Sequence, residues 1–195
     1  MRSWREWLPR VLVESALIVF SILLALAADG WWESRKERLL AEQALDSFIQ
    51  EIRANRESLQ RIMPYHAGLY SQFQALSSAG PVLTFGDLRR IEGFQGFRPA
   101  FLTDTAWRTA LATGALVHMD YEIVARLSAL YTLQQRFVET SRPDFIQGAG
   151  AWTDANIGST VLSALLYLGD VTAGEQGLLE SYELVLNALG AGDDG

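Results

Sequence analysis

The pattern of apolar and polar positions changes sharply near the start of the chain. Residues 11–28 are almost wholly apolar, and Glu14 is their single charged residue. A helix needs about 20 apolar residues to cross a bilayer core of about 30 Å. The pattern therefore predicts one transmembrane helix over 11–28, preceded by a short cytoplasmic segment, 1–10.

Helical spacing of apolar residues continues beyond the span. Between Trp31 and Met63 no residue breaks a helix, and Pro64 is expected to end or kink it. A juxtamembrane helix over 29–63, continuous with the span, is therefore predicted. It would carry the rest of the protein away from the membrane surface.

The remainder of the chain shows further helical stripes and no strand pattern. Helices are predicted at 65–78, 85–92, 104–112, 121–141, 156–168 and 173–189. Thr84, Asp104 or Thr103, and Asp120 are the expected N-caps, and Gly114 the expected stop. The predicted fold is all-α: a transmembrane helix, a juxtamembrane helix, an antiparallel bundle over 64–190 and a flexible tail over 191–195.

A cleaved signal peptide is the alternative to a retained anchor. The basic start and Ala25-Leu26-Ala27 resemble the n-region and cleavage site of such a peptide. Against this, the apolar run is longer than the usual core of about 7 to 15 residues. Tryptophans, which favour membrane interfaces, bracket the run: Trp4, Trp7, Trp31 and Trp32. These features favour a retained span with interfacial anchors.

The bases that flank the span predict its orientation. Three arginines precede the span closely: Arg2, Arg5 and Arg10. The bases that follow it are mixed with acids and lie farther away: Arg35, Lys36 and Arg38. By the positive-inside rule the N-terminus is cytoplasmic. The main domain is then periplasmic, on a bacterial inner membrane.

The span has one face of small or charged residues. Glu14, Ser21, Ala25 and Ala28 fall on this side of the helix. Small residues let helices approach closely, and a charge inside a span usually faces protein or water. This face is therefore predicted to contact other transmembrane subunits. The alternative is that Glu14 simply reaches the nearby interface.

No catalytic or metal-binding signature is present. The chain has no cysteine, and His66 and His118 have no second ligand at helical spacing. Glu175, Glu180 and Glu183 are expected on a solvated helix face. The net charge is −7, and from residue 99 onward twelve acids face four arginines, the opposite of a nucleic-acid footprint. We predict a protein that is not an enzyme, with no cofactor, no metal of its own and no nucleic-acid partner.

Aromatic residues outside the helical stripes are candidate partner contacts. They are Phe94, Phe97, Phe101 and Trp152. Three of them lie in the predicted loop 93–103. Either they anchor a partner, or they close the bundle core. An aromatic ligand pocket is a third possibility.

Two blocks of the sequence resemble a known family. The first comprises Glu14, residues 21–26 (SILLAL), Asp29, the Trp31-Trp32 pair, Glu33, Arg35 and Lys36; the second comprises residues 107–114 and 120–131. They resemble an uncharacterised bacterial family of single-pass membrane proteins, a domain of unknown function with the signature E…GILLAL…D.W.E.RK. Ser21 stands where that family usually has glycine. The resemblance implies a membrane anchor and a helical domain, and it supplies no catalytic residues.

These patterns favour an accessory or structural subunit of a larger membrane complex. A bioenergetic or photosynthetic assembly is the expected type, on the grounds of where small single-pass chains usually occur. The alternative is a membrane-anchored periplasmic sensor or ligand-binding module that acts through a partner. The short segment before the span leaves little room for an output domain, which favours the subunit.

Overall fold

The computed structural model describes residues 4–78, 80, 84–88, 90–142 and 153–192, with side chains from Leu12 onward except that of Phe85. Within these residues the fold is all-helical, which confirms the predicted class. The helices are α1 (Trp4–Ser78), α2 (Phe85–Leu88), α3 (Thr105–Thr113), α4 (Tyr121–Thr140) and α5 (Ile157–Ala188). A 3-10 turn, Ala115–His118, connects α3 to α4.

The first helix, α1, is a single element of 75 residues, about 110 Å long. Pro64 was predicted to end or kink the helix; the predicted end is wrong, because α1 continues to Ser78. A proline inside a helix removes one hydrogen bond and costs about 3 kcal/mol. The buried side chains of Leu59 and Leu69, on either side of Pro64, offset that cost.

Helix α5 is likewise one element where two helices were predicted. A break was expected between 168 and 173, but α5 runs through Gly169 without interruption. A glycine inside a helix costs about 1 kcal/mol relative to alanine. Leu168 and Val171 are both buried there, and burying a large aliphatic side chain contributes about 1.5 to 3 kcal/mol. Tertiary packing therefore outweighs the local preference.

The helix ends agree better with prediction. Gly114 ends α3 in the left-handed conformation, with φ 74°. Asp120 caps α4, because its Oδ1 accepts hydrogen bonds from the backbone N–H groups of Glu122 (2.8 Å) and Ile123 (3.3 Å). The short helix α2 ends at Leu88, earlier than the predicted residue 92.

The described core has two clusters, both built on α1. The first joins the middle of α1 to α3, α4 and the C-terminal half of α5. Its largest members include Phe48, Ile52, Leu59, Leu127, Tyr131, Leu178, Tyr182 and Leu186. The second joins the C-terminal end of α1 to the N-terminal half of α5 and the segment before α3. Its members are Leu69, Phe73, Ile91, Phe97, Ile157, Val161, Ala164 and Leu168.

The membership of these clusters fixes the arrangement of the two long helices. Early residues of α1 pack with late residues of α5, and late residues of α1 pack with early ones, so the helices are antiparallel. The bundle begins earlier than the predicted residue 64, because Leu40 and Ala44 already pack against the first cluster. The predicted flexible tail is held at its first residue, since Arg53 Nη2 donates to the carbonyl of Ala191 at 2.7 Å.

Candidate functional site

The N-terminal part of α1 is an apolar helix that no other described element covers. Its large side chains from Leu12 to Leu26 are 54–63% exposed. Two described helices, α1 and α5, are long and apolar enough to cross a membrane. A core helix passes the same test, and α5 buries Leu168, Leu178 and Leu186 in the bundle. The candidate membrane span is therefore the start of α1.

Aromatic and basic side chains follow this segment directly. The rings of Trp31 and Trp32 meet edge to face at 5.6 Å, and both are more than half exposed. The guanidinium of Arg35 lies 5.9 Å from the ring centre of Trp31, a cation–π contact. Trp4 and Trp7 lie within α1, but their side chains are outside the described part.

The predicted contact face of the span is exposed along its length. Glu14, Ser21, Ala25 and Ala28 are all exposed. The hydroxyl of Ser21 donates to the carbonyl of Leu17 within the helix, at 2.8 Å. The Ser21 hydroxyl group is therefore already hydrogen-bonded within α1.

Inside the bundle, His66 and Glu175 form a buried pair that sequence analysis missed. The two side chains are 2% and 1% exposed, and Nδ1 of His66 lies 2.6 Å from Oε1 of Glu175. The other ring nitrogen, Nε2, lies 2.7 Å from the carbonyl oxygen of Arg98. The prediction that Glu175 lies on a solvated face is wrong, whereas Glu180 and Glu183 are exposed as expected.

The partners of His66 determine where its protons lie. The carbonyl of Arg98 can only accept, so Nε2 of His66 must carry a hydrogen. One further proton lies between Nδ1 and the Glu175 carboxyl group. Oε2 of Glu175 is buried and has no hydrogen-bond partner among the described residues. The pair links α1, α5 and the 93–103 segment, and it is closed to solvent.

A second buried network surrounds the amide of Asn55. Its Nδ2 donates to the carbonyl of Thr103 at 2.7 Å and to Oε1 of Gln134 at 3.1 Å. Its Oδ1 accepts from the backbone N–H of Thr103 at 2.9 Å. The hydroxyl of Tyr182 donates to the same Gln134 oxygen at 2.6 Å. These contacts fix the loop before α3 against three helices.

Glu51 provides the acceptor for the neighbouring contacts. Its carboxylate accepts from the hydroxyl of Tyr131 at 2.7 Å and from the backbone N–H of Ala106, in the first turn of α3. Burial, and secondly the hydrogen bond to Glu51, raise the pKa of Tyr131. Burial also raises the pKa of Tyr167 to about 12, with a smaller contribution from Glu175. These phenols stay protonated at neutral pH.

The aromatic candidates separate into different environments. Phe97 is 6% exposed and packs in the second cluster, 5.9 Å from Phe73 and 5.4 Å from Tyr167 between ring centres. It therefore closes the core, so it is not a free partner contact in this chain. Phe94 is 39% exposed, and Phe101 is 84% exposed. Trp152 lies outside the described residues.

Two open grooves run along α1. One, of about 580 Å³, is lined by Trp32, Glu33, Arg35, Lys36, Leu39, Leu40 and Gln43. The other, of about 730 Å³, lies between α1 and α3 and is lined mostly by short side chains, including Ala44, Ser47, Ala54, Ala106, Ala110 and Thr113. Both grooves include Leu40 and Gln43, so they are contiguous.

Among the described residues, few reactive side chains are placed where they could bind a metal ion or act on a substrate. The part of the chain that the structure describes contains no group of three or more His, Asp or Glu side chains arranged to hold a metal ion. Inside the bundle, His66 pairs with Glu175, and Glu51 accepts from Tyr131 and from the backbone of Ala106. Nearer the surface, Nδ1 of His118 lies 3.8 Å from Oε2 of Glu37. No protein-family model, curated protein or solved structure matches this chain. The resemblance to the single-pass family therefore stays a prediction that rests on its two blocks.

Proposed function

We propose that this protein is a membrane-anchored, non-catalytic accessory subunit of a larger membrane complex. The observation that carries the proposal is the continuity of α1. The same helix supplies the exposed apolar segment from Leu12 to Leu26 and the central helix of both core clusters. Such a chain fixes a folded domain rigidly to a membrane-embedded segment.

The distribution of polar groups supports a non-catalytic role. A catalytic acid or base must reach a substrate in a cleft. Here His66 and Glu175 are closed to solvent, and Glu51 is occupied by Tyr131 and Ala106. The groove between α1 and α3 is lined largely by short side chains, and the other combines three large apolar residues with charged ones. Both linings suit contact with another protein.

We further propose a bacterial inner-membrane location with a cytoplasmic N-terminus. The arginines at positions 2, 5 and 10 support that orientation. The test is protease treatment of spheroplasts that carry the full chain. The bundle should be digested, while cytoplasmic proteins inside the spheroplasts stay intact. A protected bundle would overturn the orientation, and a mature N-terminus after Ala27 would show a cleaved signal peptide.

Assembly is tested separately by gentle detergent extraction and native sedimentation. The chain should sediment with other subunits as one particle much larger than its own 21.7 kDa. The control is a full-length variant with Leu17→Arg and Leu24→Arg, which should leave the membrane fraction because charge at the centre of a span is costly. Wild-type chain that migrates as a monomer would contradict the subunit role.

A ligand-binding module is the second candidate function, and the groove between α1 and α3 favours it. At about 730 Å³ this groove is large enough for a small molecule. Because α1 runs from the groove to the candidate span, a ligand there could act on a membrane partner. A small molecule that co-purifies with the monomer and raises its melting temperature would support this function over the first.

A further inference from the structure

The two grooves form one continuous exposed surface on α1. The first starts at Trp32, and the second ends at Ala54, with Leu40 and Gln43 common to both. At 1.5 Å per residue this surface is about 33 Å long. Trp32 is 65% exposed and Leu39 is 46% exposed, so large apolar side chains line its membrane-proximal half.

This surface continues the small-residue face of the candidate span in the same straight line. Eleven residues complete about three helical turns, so positions eleven apart lie one above another. Three such rows connect the span to the grooves: Glu14, Ala25, Lys36 and Ser47; Ser21, Trp32, Gln43 and Ala54; Ala28, Leu39 and Gln50. We call these eleven residues the α1 strip.

The α1 strip is shaped for another helix. Five of its members are alanine or serine, and small side chains let a second helix approach closely. The opposite side of the span carries large residues, including Val19, Leu23 and Leu26, which suit lipid. At the far end, α3 forms the second wall of the groove with Ala106, Ala110 and Thr113.

We propose that the α1 strip docks a helix of a different membrane-spanning subunit, one that leaves the bilayer beside α1 and continues along it to the α3 groove. The proposal rests on the accessory-subunit function and names the surface and the partner. The partner contributes one helix that is apolar within the membrane and long enough to extend about 33 Å beyond it.

Charge decides between a different chain and a second copy of this one. The strip carries two ionisable residues, Glu14 in the candidate span and Lys36 in the first groove. Two copies inserted in the same direction would place Glu14 against Glu14 inside the membrane, and Lys36 against Lys36 outside it. Both contacts are unfavourable. The fitting partner has a hydrogen-bond donor or a base at the level of Glu14 and an acid at the level of Lys36.

Photo-crosslinking in native membranes tests the α1 strip position by position. A benzophenone amino acid is placed singly at Ser21, Ala25, Leu39 or Gln43 of the full chain. Matched controls are Leu23 and Leu26 in the span, and Arg38 and Glu42 on an exposed side of α1 that faces neither groove. The strip positions should all give an adduct of the same mass, and the controls none.

A charge reversal provides the second measurement. Lys36→Glu should reduce the adduct formed from Gln43, because the strip then repels the partner's acid. Arg38→Glu makes the same charge change on the exposed side of α1 that faces neither groove, and it should leave that adduct unchanged.

Each outcome distinguishes the α1 strip from the broader subunit role. Adducts that appear equally on both sides of α1, or only within the span, would overturn the strip and leave the subunit role standing. An adduct of twice the chain's own mass would show a second copy and overturn the choice of partner. No adduct at any position, with a monomer on native sedimentation, would overturn both.

Discussion

At the scale of single residues, two polar side chains lie on the apolar stripes of the long helices and are fully buried. His66 lies four residues after Ile62 and three before Leu69, on the buried side of α1. Glu175 lies between Val171 and Leu178, on the buried side of α5. Their positions predict burial, but their pairing across 109 residues of sequence follows only from the antiparallel packing.

The His66–Glu175 pair should contribute strongly to stability. His66→Ala removes one partner and leaves a buried carboxyl group, which costs about 3 to 5 kcal/mol. Urea unfolding of the detergent-solubilised chain, followed by circular dichroism, measures the loss. The control is His118→Ala, which removes only a partly exposed contact of 3.8 Å with Glu37 and should cost less than about 1 kcal/mol. Equal effects at the two positions would contradict the role of the pair.

The two phenylalanines of the 93–103 segment should differ in the same assay. Phe97→Ala removes a buried ring and should cost about 3 to 5 kcal/mol. Phe101 is 84% exposed, so Phe101→Ala should change stability by less than about 0.5 kcal/mol. A large loss of stability at Phe101 would show that its ring packs against the protein.

At the scale of elements, local signals identified helices well and their continuity poorly. Gly114 and Asp120 carry their own stop and cap geometry, so the sequence alone placed those ends correctly. Pro64 and Gly169 also looked like ends, but helices pass through both. Whether a proline or glycine ends a helix depends on how many apolar side chains are buried on either side of it. That burial depends on the helix packed against them.

Two glycines of α5 offer a matched test of close packing. A Cβ at Gly174 would lie 2.9 Å from Cδ2 of Phe137, on α4, whereas a Cβ at Gly177 would meet nothing within 4 Å. Gly177→Ala should therefore stabilise the protein by about 0.5 to 1 kcal/mol through helix propensity. Gly174→Ala gains the same propensity but forces Phe137 to move, and overpacking costs about 1 to 3 kcal/mol. Thermal unfolding of both variants compares them, and a stabilised Gly174→Ala would contradict the close approach.

Pro64 allows a prediction on α1. Pro64→Ala restores a backbone hydrogen bond within the helix and removes the clash of the ring, which together are worth about 3 kcal/mol. The more flexible unfolded chain subtracts about 0.4 to 1 kcal/mol. A net gain of about 2 kcal/mol in the free energy of unfolding is expected. An unchanged or lower value would show that the fold requires the proline.

At the scale of the whole molecule, the sequence predicted the all-α class and the apolar N-terminal helix better than the point where the bundle begins. The all-α class and the apolar segment follow from periodicity and composition alone. The start of the bundle at Leu40 does not, because the same helical spacing continues on both sides of it. The grooves along α1 were also not predictable, since they depend on where α3 lies.

The exposed apolar segment of α1 and the bundle should contribute independently to stability. Residues 12–36 of α1 are exposed, and the first packed apolar side chain is Leu40. A fragment that starts at Ser34 should therefore melt within a few degrees of the full chain in the same detergent. A much lower melting temperature would show that the apolar segment folds back onto the bundle.

Because α1 is unbroken, it also determines the distance between the bundle and the membrane surface. If Trp32 lies at the membrane interface, Leu40 stands about 12 Å above it and Ser78 about 69 Å above it. The bundle then begins beyond the lipid headgroups and extends away from the membrane along α1. A neighbour that is flat against the membrane would pass beneath the core clusters. Only a subunit that extends tens of ångströms out of the membrane could contact α1 along its whole length.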